Sequence, residues 1–270
     1  MTNLFDLKGK VVLITGGAGV LGSGMGNVLA QNGVTVGIVG LTMEEAEITV
    51  KMIQDNGGKA FAVKGNVLVK EEMEAIRDKI LADYGKLDIL INAAGGNMPG
   101  ATIGPDQAIF DMKEADLQKV LNLNIIGTML PSQVFSEIFA KQKSGIIINI
   151  SSASASRPLT RVVGYSASKA AIDNFTQWMA VELATKYGEG LRVNAIAPGF
   201  FVGEQNRRLL LNEDGTLTPR GETILEHTPM GRFGIPEDLY GTLLYLCSDA
   251  SKFVTGITLK VDGGFGAKSI

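Results

Sequence analysis

The sequence predicts a single-domain α/β fold, a doubly wound parallel sheet of about seven strands with helices on both faces. Three observations carry this. Short β-rich apolar runs alternate with stretches of helical spacing along 270 residues. Most of the runs are continuously apolar rather than alternating, the pattern of strands covered on both sides. No repeat, low-complexity tract or linker divides the sequence, and uninterrupted strand–helix alternation gives right-handed crossovers.

In order, the strand candidates are Val11–Ile14, Val34–Val39, Ala60–Val63, Leu87–Ile91, Ile146–Ile150, Arg192–Ile196 and Thr258–Val261. Helical spacing is clearest at Met43–Asp55 and Lys70–Tyr84, and a first helix is expected over Met25–Gln31. Segments 97–113 and 200–228 read as long loops with short helical pieces. Both follow strand C-termini, where open α/β sheets bind ligands. The domain is expected to span 1–270, a dinucleotide-binding half to about 150 preceding a catalytic and substrate-loop half.

Composition narrows the function. Apolar residues make up 45% and charged residues 20%, which suits a large core. The net charge of −3 lacks the basic footprint of a nucleic-acid binder. The apolar runs are too short to span a bilayer. Met1–Asp6 lacks a basic-then-apolar signal, so a cytoplasmic protein is expected. The one cysteine, Cys247, sits in an apolar run and reads as a buried structural thiol. The one histidine, His227, has no partner motif for a Ser-His-Asp triad. Clustered metal ligands are absent, so no metal is expected.

Chemistry concentrates in Tyr165-Ser166-Ala167-Ser168-Lys169, thirteen residues after Ser152. Residues at i and i+4 share one helix face. A phenol has a free pKa of about 10, and a neighbouring ammonium moves it down. A Ser152 hydroxyl from a strand end can polarise a carbonyl, although Ser151 and Ser154 stand close by. The set offers a proton donor, its tuner and an orienting group.

A dinucleotide cradle is expected after the first strand. Gly17, Gly19 and Gly22 satisfy G-x-G-x-x-G, and the segment Gly16 to Gly22 includes Val20 and Leu21. Glycine lets backbone approach a pyrophosphate, and the following helix N-terminus favours its charge. Gly40 and Leu41 offer neither an acid for the ribose of NAD nor an Arg for the phosphate of NADP. Thr42 suits either, so NAD(H) is taken first and NADP(H) stays open. Asn66, followed by Val67, reads either as an adenine contact or as a plain turn residue. Asn92-Ala93-Ala94-Gly95 supplies small residues against which a cofactor can lie, or a simple strand-ending turn.

Set together, these residues resemble the classical short-chain dehydrogenase/reductase family over essentially the whole sequence. The likeness includes the glycine turn, Asn92–Gly95, Asn124, Ser151-Ser152, Tyr165 with Lys169, Asn194–Gly199 and Val261-Asp262-Gly263-Gly264. It implies a Rossmann-type sheet, Tyr165 as general acid/base, Ser152 as orienter, and Lys169 holding the nicotinamide ribose. It also implies Asn124 in a water-linked proton relay, Pro198 and Gly199 beside the nicotinamide, and a homotetramer or homodimer. Two positions depart from the family's pattern. Val20 stands at the middle glycine of T-G-x-x-x-G-x-G, and Gly203 stands where a carboxamide-binding Thr is common.

Substrate identity falls to the loops. Asn97, Arg161, Gln205, Asn206 and Arg208 are the substrate candidates, with Arg157 nearby. Many hydrogen-bonding groups and a planar cationic fork suit a sugar acid better than a steroid or acyl group. Gly95-Gly96-Asn97-Met98-Pro99 and the stretch from Phe200 to Arg208 resemble one subgroup of the family, the D-mannonate oxidoreductases of short-chain type (fructuronate reductases). That subgroup interconverts D-fructuronate and D-mannonate in hexuronate breakdown. Alternatives are a gluconate 5-dehydrogenase-like enzyme, a 3-oxoacyl-carrier-protein reductase, and a dinucleotide-sensing binding protein without catalysis.

Overall fold

The computed structural model describes residues 3–203 and 206–269. The first half runs β1 (Val11–Thr15), α1 (Val20–Gln31), β2 (Thr35–Gly40), α2 (Met43–Asp55), β3 (Lys59–Lys64), α3 (Lys70–Tyr84) and β4 (Ile89–Asn92). Next come α4 (Glu114–Leu121), α5 (Gly127–Gln142), β5 (Gly145–Ile150), α6 (Val163–Tyr187) and β6 (Leu191–Pro198). After these follow α7 (Arg207–Leu210), α8 (Pro219–Glu226), α9 (Tyr240–Cys247) and β7 (Thr258–Val261). The strands form one parallel sheet in the order β3-β2-β1-β4-β5-β6-β7. The order reverses between β1 and β4, which opens a crevice beyond their C-terminal ends.

The central strands are largely apolar because each face has its own core, with Asn92, Asn149, Arg192 and Asn194 among the buried polar exceptions. Val12, Ile14, Ile89 and Ile91 pack towards α1, α2 and α9, with Met25, Leu29, Leu243 and Leu246. Val11, Leu13, Leu90 and Ile147 pack towards α3, α5 and α6, with Ile76, Phe135, Phe139 and Met179. The edge strands β3 and β7 are only partly covered. Cys247 lies fully buried in the first core, and burial pushes its thiol up to about 12.

Local sequence explains most boundaries. Thr42 caps α2 through the Glu45 N–H at 3.2 Å, and the Glu45 carboxylate returns to the Thr42 N–H at 3.3 Å. Gly85, in the left-handed region, ends α3. The first helix differs from expectation, beginning at Val20 rather than Met25. Glycines at 22, 24 and 26 depress helix propensity there. Tertiary contact overrides it: a Cβ on Gly24 would meet the Tyr240 hydroxyl at 2.8 Å, and one on Gly26 would meet Ile38 and Ile53 at 3.2 Å.

Candidate active site

The glycine turn and the start of α1 occupy the mouth of the crevice. Gly16 has φ +62°, and a Cβ on it would fall 2.6 Å from the Ala94 Cα. A Cβ on Gly22 would lie 2.4 Å from the Gly16 carbonyl oxygen. This turn tolerates no side chains at those positions and leaves backbone N–H groups at a helix N-terminus for a pyrophosphate. Gly19 is the N-cap of α1, with no side chain to compete for the free N–H groups. Gly17 is buried against Ile38, and Leu21 packs into the core, so both support the turn from behind. The donor set fits a dinucleotide.

Several residues expected near the cofactor turn their side chains elsewhere. Asn92 is buried and donates to the Ser132 hydroxyl at 2.8 Å and to Asn149 Oδ1 at 2.9 Å. Its side chain therefore braces β4 against β5 and α5 rather than facing the crevice. Val67 is a core residue packed with Val63 and Met73. Asn66 Oδ1 accepts the Leu68 N–H at 3.0 Å, the bond of a plain turn residue. The Thr42 hydroxyl serves as the α2 cap. Ala93 and Ala94 are tied back to β1, their N–H groups donating to the carbonyl and hydroxyl of Thr15.

Next to this cradle, α6 presents Tyr165 and Lys169 on one face, and the end of β5 delivers Ser152. Lys169 is 4% exposed, its ammonium donating to the Ile150 carbonyl at 2.8 Å and lying 5.4 Å from the centre of the Tyr165 ring. Burial holds its pKa down at about 8, while Asp173 one turn later pulls it up. For Tyr165 the expectation of a lowered pKa does not hold in this state. Burial pushes the phenol up, the Ser152 hydroxyl pulls it back, and no pull from Lys169 enters. The physical reason is order of titration: burial holds Lys169 at about 8, so it has lost its charge before the raised phenol ionises.

Asn124 lies in a single π turn (Asn122–Ile126) between α4 and α5 and is fully buried. It accepts the Gly96 N–H at 3.0 Å and donates to the Gly96 and Val120 carbonyls at 2.8 Å each. Such turns often mark functional positions. A Cβ on Gly95 would fall 2.8 Å from Asn124 Oδ1 and 3.4 Å from the Lys169 ammonium, so Gly95 keeps the three groups in one small space. Pro198 ends β6, and Gly199 follows with its N–H bonded to the Val261 carbonyl at 2.9 Å. The Asp262 carboxylate accepts from Gly264 and Gly266, which shapes that turn.

The two departures from the family pattern face each other. A Cβ on Gly203 would come 3.7 Å from Val20 Cγ2, so the valine occupies ground beside a position emptied of its side chain.

The substrate candidates separate. Asn206 commits both ends of its amide to its own loop, accepting from Gly203 and donating to the Phe201 carbonyl at 2.8 Å. Asn97 donates to the Thr102 hydroxyl at 2.6 Å. Gln205 lies outside the described residues. Arg208 is exposed on α7. Arg157 holds the C-terminal segment through the Phe265 and Lys268 carbonyls at 2.7 and 2.9 Å. Arg161 is exposed with φ +74°, and its carbonyl accepts the Ile103 N–H at 2.9 Å. Sequence reading missed Asp173 and Arg220. Asp173 follows Lys169 at i+4, a legible signal. Arg220, whose Nη1 lies 3.4 Å from the Thr160 hydroxyl, is sixty residues distant and gave none. A cavity of about 390 Å³ lies behind Phe200 and Phe201, against Met230, Arg232 and Lys260, and includes none of the Ser152, Tyr165 and Lys169 set. Among the described residues, no helix is long and apolar enough to cross a membrane and no metal-binding cluster forms.

The sequence matches the short chain dehydrogenase profile over residues 10–213. It is 50% identical over 273 residues to the uncharacterized oxidoreductase UxuB of Bacillus subtilis (strain 168), covering 98% of this protein and 97% of that one. A crystal structure from Haemophilus influenza, provisionally named a D-mannonate oxidoreductase and solved with NAD bound, shares 44% identity at a TM-score of 0.91. The match covers 98% of this protein and 97% of that one. A gluconate 5-dehydrogenase from Burkholderia cenocepacia, solved with NADP and tartrate, shares 29% identity at a TM-score of 0.87, with 98% of each protein covered. On the strength of the parallel sheet, the glycine cradle at its switch point and these matches, the protein belongs to the short-chain dehydrogenase family of NAD(P)-linked oxidoreductases.

Proposed function

We propose that this enzyme interconverts a keto sugar acid and its secondary alcohol, with D-fructuronate and D-mannonate as the pair, and that it uses NAD(H). The observation that carries the reading is the meeting of Tyr165, Lys169 and Ser152 beside the glycine cradle. When bound, the nicotinamide supplies or accepts the hydride. Ser152 orients the substrate oxygen. Tyr165 gives its proton to the developing alkoxide in reduction and takes it back in oxidation. Because burial keeps the phenol protonated, the resting site is set for reduction at neutral pH. Lys169 and Asn124 hold the floor of the site, Lys169 through the Ile150 carbonyl and Asn124 through Gly96 and Val120. Backbone at Ala93–Gly95 and at Pro198–Gly199 would flank a bound nicotinamide.

Support for the substrate comes from the likeness to the Haemophilus influenza protein and from the polar, arginine-bearing loops. Support for NAD(H) comes from α2. Its first turn carries Glu44 and Glu45, and the Glu45 carboxylate stands at the Thr42 N–H, so a 2′-phosphate there would meet negative charge. Exposed Trp178 and Val181 on α6, at 59% and 68%, support an oligomer in which this face is covered.

The test is absorbance of reduced nicotinamide with D-fructuronate, D-mannonate, D-gluconate and 5-ketogluconate, using both coenzymes. Turnover confined to the gluconate pair would transfer the assignment to a gluconate 5-dehydrogenase. Cofactor binding without turnover of any of them would favour a sensor. Tyr165→Phe is expected to bind NADH while losing about 10²–10⁴-fold in kcat, the range of general acid catalysis.

A further inference from the structure

We propose that Arg161 and Arg220 form a two-guanidinium clamp for the carboxylate of the substrate, with Arg220 as a specificity-determining residue. The inference rests on the sugar-acid reading and names the groups that recognise the acid.

Arg220 sits in the first turn of α8, half-buried, with Nη1 3.4 Å from the Thr160 hydroxyl. Thr160 and Arg161 belong to the segment that joins Ser152 to Tyr165, and Arg161 stands four residues before the tyrosine. Arg220 thus meets the segment that joins Ser152 to Tyr165, with the Arg161 charge near enough to act on it. Among the described residues, neither pairs with a carboxylate. The contrast within the molecule is clear: Arg77 has Glu137, Arg232 has Asp238, and Arg157 has two carbonyls. Burial and the Arg161 charge both hold the Arg220 guanidinium below its ordinary range. Like charges held close are stabilised when an anion enters between them.

The backbone adds a second, independent observation. Only Lys143 and Arg161 are non-glycine residues at positive φ among the described residues. Lys143 ends α5, where a left-handed residue is ordinary. Arg161 ends no helix. Its conformation is held by the Ile103 N–H, and glycine or asparagine would adopt it more easily. Strain retained on an arginine beside a catalytic segment points to a use for that side chain. The planar fork of guanidinium matches a carboxylate bidentately, and a second fork opposite would fix the acid end while the carbon backbone of the sugar runs to Tyr165. A neutral substrate would leave both cations unpaired.

The experiment compares the wild type with Arg220→Gln, Arg161→Gln and Arg220→Lys, each checked for folding by circular dichroism. Two readouts are used: kinetics with D-mannonate and its uncharged amide, and calorimetric titration of the NAD-saturated enzyme with malonate. Losing one charge-assisted hydrogen bond is expected to raise KM for D-mannonate on the order of 10- to 100-fold, with a smaller effect on kcat. The preference for acid over amide should shrink by the same factor, Arg220→Lys should recover part of it, and malonate binding should weaken in parallel. An unchanged acid-to-amide preference in both glutamine variants overturns the clamp while leaving the sugar-acid activity standing. No turnover by the wild type, with malonate binding that Arg220→Gln and Arg161→Gln abolish, sinks the substrate reading and retains the anion site. Malonate binding indifferent to both arginines sinks the site. If Arg220→Gln does not fold, Arg161→Gln and Arg220→Lys decide by the same criteria.

Discussion

Lys169 offers a prediction that can be worked through in numbers. The residue is 4% exposed, and its ammonium has one carbonyl partner at 2.8 Å and is held at a pKa of about 8 by burial. In the unfolded protein the same group titrates near its ordinary value of 10.5. Between those values the unfolded state binds more protons than the folded state, so stability rises with pH. From pH 7 to pH 9.5 this one group should add roughly 2 kcal/mol to unfolding free energy. Lys169→Met removes the titration and keeps most of the volume. The assay is urea unfolding of wild type and variant, without cofactor, at several pH values across that range. The stability of the wild type relative to the variant should increase by roughly 2 kcal/mol as pH rises. Two neighbours bound the window. Asp173 is raised, so its share of the stability falls as pH rises above the ordinary carboxylate range, opposite in sign to Lys169. Tyr165 is raised, so it opposes the trend only above about pH 10. A difference that stays flat within about 0.5 kcal/mol would show that water reaches the ammonium and that the cation is not desolvated.

Other outcomes are as specific. Gly22→Ala places a methyl 2.4 Å from the Gly16 carbonyl, so the turn must open, and NADH affinity measured by fluorescence should fall at least about tenfold. Unaltered affinity would mean that the pyrophosphate lies elsewhere. Asn92→Ala removes the bridge between Ser132 and Asn149 in a sealed interior, and chemical denaturation should report a loss of about 1–3 kcal/mol. Cys247 is buried with its thiol pushed up to about 12, so Ellman's reagent at pH 8 should release no colour from folded protein and one equivalent after denaturation. Rapid labelling of the folded enzyme would contradict that burial.

How much was legible in the sequence follows from the range of the forces involved. Apolar runs of four to six residues, the capping pair Thr42 and Glu45, and the i, i+4 spacing of Tyr165 and Lys169 are local, and each can be read from its neighbours. The strands, the helices Met43–Asp55 and Lys70–Tyr84, and the composition of the site follow from such local signals. The start of α1 did not, because its glycines oppose a helix locally and are compensated only by contact with Tyr240, Ile38 and Ile53. The direction of polar side chains did not either. Asn92 looks like a ligand contact in sequence and becomes a brace once Ser132 and Asn149 arrive from elsewhere in the protein, while Asn206 is spent within its own loop on Gly203 and the Phe201 carbonyl. Local sequence, then, determines which elements form and which residue types reach the crevice. Only the tertiary structure decided where each charge and amide is spent, because burial and hydrogen-bond partners depend on segments as far apart as Thr160 and Arg220.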